Sequence, residues 1–188
     1  MIILGIDTSA KTSTMAVCSQ DKVIVSGAVH TQLTHSQTLL PMVKSMLNSA
    51  SISLDEIDAF AVSIGPGSFT GLRIGISAIK GFAYALDRPC IGVSSLEALA
   101  YNLRGLKGKI CAVMDARRNQ VYNAVFEFDG DNLIRLCDDR VIMIDELGAE
   151  LGGFPPNEEI HIVGDGADLV MAQLTQKNLA IAPPHLKF

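Results

Sequence analysis

The chain has 188 residues, 48% of them hydrophobic and 19% charged, with a formal net charge of −5. That size and apolar content exclude a disordered chain and allow one large or two small domains. The mild acidity argues against sequence-blind binding to nucleic acid or an anionic membrane, although a local basic patch stays open.

Ile2–Ile6 is a near-continuous apolar run, as in a strand buried on both faces. It meets Asp7 too early for a signal peptide. No run approaches the roughly 20 apolar residues of a membrane span. The reading is a soluble, cytoplasmic protein with no membrane partner. After the polar turn Asp7–Ser13 comes a returning strand, Thr14–Cys18. A turn at Gln20–Asp21 and a third strand, Lys22–Val29, complete an antiparallel meander. The period then changes. Leu39, Met42, Val43, Met46 and Leu47 form the stripe of an amphipathic helix, with Thr34 and Gln37 as a capping box. Pro41 predicts that this helix starts late or bends. Ser53 and Glu56 cap a short turn, and Ala59–Ile64 is a fourth, buried strand.

Next comes the stretch on which the chain turns, Gly65-Pro66-Gly67-Ser68-Phe69-Thr70-Gly71. A helix follows to about Leu86, then a strand over Pro89–Val93 and a helix capped by Ser94 and Glu97 that runs to about Leu103. Arg104–Lys109, rich in glycine and lysine, marks a domain boundary. Domains are therefore expected at 1–104 and 105–188. Beyond the joint the opening pattern returns: the apolar run Ile110–Met114 ends in Asp115, a polar turn follows, and Val121–Phe128 comes back. Laid from Asp7 and Asp115 without a gap, Ala16-Val17 falls on Ala124-Val125. A turn at Asp129–Asn132, a strand at Leu133–Cys137, a loop at Gly152–Pro156, a strand at Ile160–Val163 and a helix at Asp168–Leu174 come next. The Pro183-Pro184 tail reads as irregular. The repeat predicts an α/β fold made of a duplicated unit with an abbreviated second copy.

The glycine turn admits two readings. It can cradle a phosphate at a helix N-terminus, or its glycines can permit tight packing. It is neither a Walker A loop, since Gly65 to Gly71 is one residue too long and Leu72-Arg73 replaces Lys-Ser/Thr, nor a G-x-G-x-x-G fingerprint. Asp7, with Thr8 and Ser9, either organises Mg²⁺ and phosphate or forms an Asx turn. In the helix after the glycines, Arg73, Ser77, Lys80 and Tyr84 share one narrow polar face. The remaining apolar arc is wide for a single sheet contact. It predicts packing on the sheet on one side and on the first helix or another subunit on the other. His30, His35, His161 and His185 show no metal spacing. No nucleophile has an evident His and acid orienter, so no catalytic or metal-binding residue is assigned. Arg104, Lys107, Lys109, Arg117 and Arg118 form the basic cluster, read as a solvated hinge surface ahead of an RNA contact. Cys18, Cys90, Cys111 and Cys137 lack a C-x-x-C pair and read as buried free thiols.

GPGSFTGLRIG at 65–75, ILGIDTS at 3–9, HSQTLLP at 35–41, VSSLEALA at 93–100 and DARRNQVY at 115–122 resemble the bacterial TsaB (YeaZ) family of tRNA threonylcarbamoyladenosine biosynthesis proteins. The resemblance implies the actin/Hsp70-type ATPase fold, a duplicated ribonuclease-H-like unit with a full first and a reduced second subdomain. It implies a non-catalytic scaffold that pairs with a TsaD-like transferase and is joined by a TsaE-like ATPase. That assembly adds threonylcarbamoyl to the adenosine beside the anticodon of tRNAs reading codons that begin with A. Alone, such a chain forms a homodimer, and it meets tRNA through the complex. It has no cofactor of its own; ATP or ADP and metal belong to the partner or the complex interface. On the helices at about 35–49 and 71–86 the implied partner interface comprises Leu39, Leu40, Val43, Met46, Leu47, Ile74, Ala78, Phe82 and Ala85. Possible nucleotide or phosphate contacts are Asp7, Thr8, Ser9, Ser68, Thr70 and Arg73. The alternatives are a small ATP-binding, sugar-kinase-like protein and, further off, a glycoprotease-type metallopeptidase.

Overall fold

The computed structural model describes residues 1–20 and 22–186, without the His185 side chain. The chain divides into two compact units, Met1–Ser95 and Leu96–Phe188.

In the first unit β1 (Ile2–Asp7), β2 (Ser13–Ser19) and β3 (Val23–Val29) form the antiparallel meander. Ser19 N–H donates to Lys22 O at 2.9 Å across the expected Gln20–Asp21 turn, of which Asp21 lies outside the described residues. β4 (Ala59–Gly65) joins β1 in parallel and β5 (Cys90–Ser94) joins β4 in parallel. The order is β3-β2-β1-β4-β5. Parallel neighbours need crossovers, and the two amphipathic stretches provide them as α1 (His35–Ser49) and α2 (Phe69–Leu86). Alternate strand residues Leu4, Ile6, Met15, Val17, Phe60 and Val62 meet Leu39, Met42, Val43 and Leu47 of α1 and Ile79 and Ala83 of α2 in one core.

α1 begins at His35, ahead of Pro41, and not late. Thr34 N–H donates to Gln37 Oε1 at 3.2 Å, so the cap fixes the start. The hydrogen bond that Pro41 removes would have ended on the carbonyl of Gln37. Both residues are exposed, so the missing bond falls on the open side of the helix.

The second unit opens with α3 (Ser95–Tyr101), followed by β6 (Lys109–Arg117), β7 (Gln120–Asp129), β8 (Asn132–Arg135), β9 (Arg140–Met143), α4 (Ile144–Leu151), β10 (Ile160–Val163), α5 (Ala167–Met171) and β11 (Leu179–Ile181). The division therefore falls before α3, not at Arg104–Lys109. α3 belongs with the second unit because Leu96, Ala100 and Leu103 are fully buried, Tyr101 meets Phe128 edge-on at 5.9 Å, and Glu97 pairs with Arg135 at 3.2 Å. The sheet order β8-β7-β6-β10-β11 repeats that of the first unit strand for strand. The second copy is shortened most in its helices, α5 having 5 residues where α2 has 18, and also in its later strands, β10 having 4 residues where β4 has 7.

Asp7 pairs across the sheet with Thr14, and Asp115 with Val121. The second turn is one residue shorter, so Ala124 corresponds to Val17 and the gapless alignment is corrected by one position. β8 stops at Arg135 and does not reach Cys137. Cys137 Sγ accepts the Val125 N–H at 3.2 Å, in the place of a strand carbonyl. β9 then resumes on the same edge of β7, Tyr122 facing Val141. The Pro183-Pro184 tail is not irregular throughout: Pro184–Leu186 forms a short 3-10 turn. Among the described residues no helix is long and apolar enough to cross a membrane.

Candidate partner-binding surface and the glycine turn

The glycine turn is built against the β1–β2 turn. Gly65-Pro66 is cis, and Gly65 takes φ 122°. Ser68 caps α2, its Oγ accepting the Gly71 N–H at 3.2 Å, while its own N–H donates to Ser9 O at 2.7 Å. Thr8 Oγ1 donates to Gly71 O at 2.8 Å in a buried site. A Cβ at Gly67 would stand 2.4 Å from Ser9 O, at Gly71 2.1 Å from Thr8 O, and at Gly75 2.4 Å from Thr8 Oγ1. Backbone occupies the space of a side chain at Gly67 and Gly71, and the Thr8 hydroxyl occupies it at Gly75. On the far side of the turn, His35 Nε2 lies 2.8 Å from Ala10 O.

These contacts decide how the phosphate candidates are disposed. Asp7 Oδ1 accepts the Ser9 N–H at 2.6 Å, an Asx turn. Thr8 and Ser9 are buried, and the Thr8 hydroxyl is occupied by Gly71. Ser68, Thr70 and Arg73 are exposed. The Arg73 guanidinium lies 3.9 Å from the centre of the Phe69 ring, held flat on the surface as a cation–π contact. The turn thus gathers the six residues in one region but commits two of them inward.

The interface candidates divide in the same way. Leu39, Val43 and Leu47 are buried in their own unit's core, so the unit itself covers that stripe of α1. Met46 is half-buried, its Sδ 3.0 Å from where a Cβ on Gly27 would be, so it caps β3. Phe82 is half-buried and packs on Phe60 at 6.0 Å. Leu40 (53% exposed) and Ala85 face outward, and Ile74 and Ala78 are half-buried. Leu40, Ile74 and Ala78, with Phe69, Arg73 and His35, line a groove of about 580 Å³ between α1 and α2. The polar stripe Arg73, Ser77, Lys80 and Tyr84 is exposed throughout. Phe69, 69% exposed, was missed from the sequence. A large aromatic in the first helical position, four residues before Arg73, was the available signal.

In the second unit the Asx turn recurs: Asp115 Oδ1 accepts the Arg117 N–H at 2.7 Å. Asp165 Oδ1 accepts the Asp115 N–H at 3.1 Å. Beneath the sheet, Asn123 is fully buried, donating to Ala112 O at 3.2 Å and accepting from Arg140 Nε at 3.3 Å. Arg140 in turn holds Glu150 at 3.1 Å. Among the described residues no three His, Cys, Asp or Glu cluster as metal ligands. The cysteines are free but not all buried: Cys90 is exposed, Cys18 and Cys137 are half-buried, and Cys111 is fully buried. Burial pushes the Cys111 thiol up to about 12, against a smaller lowering by the Asn123 hydrogen bond. Cys90 lies on the sheet edge, where burial predicted from its apolar run does not apply.

Two five-strand paths of identical order, each opening with an acid-ended meander, define a duplicated ribonuclease-H-like unit, the fold of the actin-like ATPases. The family model for TsaD, tRNA N6-adenosine threonylcarbamoyltransferase, matches residues 27–178. The chain belongs to the TsaD family, and several of the curated relatives it matches are named TsaB. The TsaB of Bacillus subtilis is 38% identical over 77% of this chain and 63% of its own length. The TsaB of Escherichia coli is 37% identical over 71% of this chain and 58% of its own. The matches thus span about three-fifths of these relatives. Among solved structures, YeaZ from Pseudomonas aeruginosa superposes with a TM-score of 0.83 at 27% identity, covering 97% of this chain and 84% of that one.

Proposed function

We propose that this chain is a non-catalytic scaffold subunit of the machinery that adds threonylcarbamoyl to the adenosine beside the tRNA anticodon. It acts by pairing with a TsaD-like transferase, with a TsaE-like ATPase joining the pair, and it self-associates when alone. The observation that carries this reading is the α1–α2 groove: Leu40 and Phe69 stand 53% and 69% exposed beside Ile74 and Ala78 on one surface. Apolar side chains grouped in this way mark an interaction site. The TsaB relatives, named for tRNA threonylcarbamoyladenosine biosynthesis, and the matching TsaD family model support this choice of partner. The closure of the glycine turn on Thr8 and Ser9 supports a scaffold over a phosphate cradle, because the Thr8 hydroxyl and the Ser68 N–H already donate to backbone carbonyls. Nucleotide and metal are accordingly assigned to the partner or to the assembled interface, and the cytoplasm follows as the site of action.

Size-exclusion chromatography with a TsaD homologue tests the proposal. One co-eluting peak is expected, and it should vanish with Leu40→Glu or Ala78→Glu. Pairing that survives both changes moves the interface elsewhere. Sustained Mg²⁺-dependent ATP turnover by the isolated chain overturns the non-catalytic reading.

A further inference from the structure

The β6–β7 hairpin turns on two residues, Arg118 and Asn119. It holds three consecutive non-glycine residues in the left-handed region: Arg117 at φ 65°, Arg118 at 52° and Asn119 at 64°. Such hairpin turns ordinarily take Asn-Gly or Asp-Gly. Asparagine tolerates this conformation; arginine gains nothing from it. The turn is nevertheless firmly held. Arg117 N–H is fixed by Asp115 Oδ1 at 2.7 Å, Asn119 O accepts the Ile144 N–H at 3.2 Å, and Asn119 Oδ1 accepts from Gln173 Nε2 at 2.7 Å.

The arginines on this turn are handled differently from the other three arginines of the unit. Arg104 pairs with Asp131 at 2.9 Å, Arg135 with Glu97 at 3.2 Å and Asp139, and Arg140 with Glu150. Lys109 pairs with Glu127 and, at 3.4 Å, with Glu158. The guanidinium groups of Arg117 and Arg118 are exposed and, among the described residues, hold no carboxylate. Of the nearby carboxylates, Asp115 Oδ1 is engaged by the Arg117 N–H and Asp165 Oδ1 by the Asp115 N–H. Two cations adjacent in sequence thus stand exposed on a firmly held tip in a chain of net charge −5, at a conformational cost.

The geometry points to a phosphate contact: Arg117 and Arg118 clamp the ribose-phosphate backbone of RNA. Guanidinium forks match phosphate oxygens, and backbone contacts of this kind position a nucleic acid without reading its sequence. This inference rests on the proposed function, since that supplies RNA as the source of phosphate, and it gives the chain a direct part in holding it.

The test is fluorescence anisotropy of a labelled, unmodified anticodon stem-loop RNA titrated with the full chain at several salt concentrations. Pyrophosphate, ATP and an acidic peptide serve as competitors. The wild type is expected to bind, with an affinity that falls as salt rises. Arg117→Ala/Arg118→Ala should weaken binding about tenfold or more and flatten the salt slope by about one per arginine. Arg118→Gly, which suits the left-handed turn, should raise Tm yet weaken binding, whereas Arg118→Lys should retain part of it. Four results overturn the inference: no RNA binding by the wild type at low salt, unchanged binding and slope in the double variant, competition by the acidic peptide alone, or displacement by pyrophosphate or ATP at the concentration of the RNA's own phosphates. Because the titration uses the chain alone, failed pairing with a TsaD homologue would leave this result intact and count against the proposed function only.

Discussion

Thr8 and Gly71 are joined twice: the Thr8 hydroxyl donates to the Gly71 carbonyl at 2.8 Å, and the Thr8 carbonyl lies 2.1 Å from where a Gly71 Cβ would be. Helix α2 is therefore seated on the β1–β2 turn by backbone contact, which sets the direction of the helix leaving the glycine turn. Gly71→Ala should destabilise the chain by about 3 kcal/mol, because the obstacle is backbone and cannot rotate away. Gly81, on the same helix, has nothing within 4 Å of its missing Cβ. Gly81→Ala should add up to about 1 kcal/mol through helix propensity. Urea unfolding of the two variants measures the contrast. Equal effects would mean that propensity, not closure, explains the glycines.

The adjacent leucines of α1 should separate folding from association. Leu39 is 1% exposed and Leu40 53%. Leu39→Ala should cost about 2–5 kcal/mol in stability. Leu40→Glu should change stability by less than about 0.5 kcal/mol, as exposed substitutions usually do, while removing the partner-dependent shift in elution. Thermal melts together with chromatography distinguish the outcomes.

Asn123 bridges Arg140 and the β6 backbone from a fully buried position. Asn123→Ala leaves the Arg140 fork without its inner acceptor and the Ala112 carbonyl without that donor. A loss of about 2 kcal/mol is expected by urea denaturation. A neutral result would show that water or Glu150 takes over the vacated bonds.

Thiol chemistry should report the burial pattern directly. Cys90 should react with an aromatic disulfide reagent in the folded chain, whereas Cys111 should wait for unfolding. The pH dependence follows from the raised Cys111 value. The unfolded thiol ionises from about 8.5, while the folded one stays protonated to about 12. Above pH 8.5 the unfolded state therefore binds fewer protons, and this group's contribution to stability declines across that window. Cys111→Ala should flatten the high-pH limb of stability measured by denaturant titration.

Much of the fold was legible because the signals are local. Thr34 with Gln37 announces the start of α1 whatever surrounds it, and Ile160–Val163 is an unbroken apolar run between polar turns. The stretch from Arg140 to Leu151 was not legible. A strand passes there directly into α4 with Met143 as the cap, so no Ser, Thr, Asp or Asn marks the change. Leu179–Ile181 is too short to show a period. At the surface, the apolar stripe of α1 says that Leu39, Val43 and Leu47 are covered, but not by what. Only the placement of the sheet assigns them to the core and leaves Leu40 outside. The same holds for Thr8, whose hydroxyl looks available for a ligand until the chain 63 residues further on arrives to claim it.

The approach of Thr8 to Gly75 couples two distant positions in sequence space. A Cβ at Gly75 would meet Thr8 Oγ1 at 2.4 Å, whereas the Thr8 Cβ stands at an ordinary 3.5 Å. Alanine at 75 is therefore blocked by one atom, and Thr8→Ala removes it at the cost of the bond to Gly71. Neither change is neutral alone, yet Gly75→Ala becomes tolerable once Thr8→Ala has occurred. Residues 8 and 75 are bound to diverge as a pair, and the order of the two steps decides whether a lineage can take them at all.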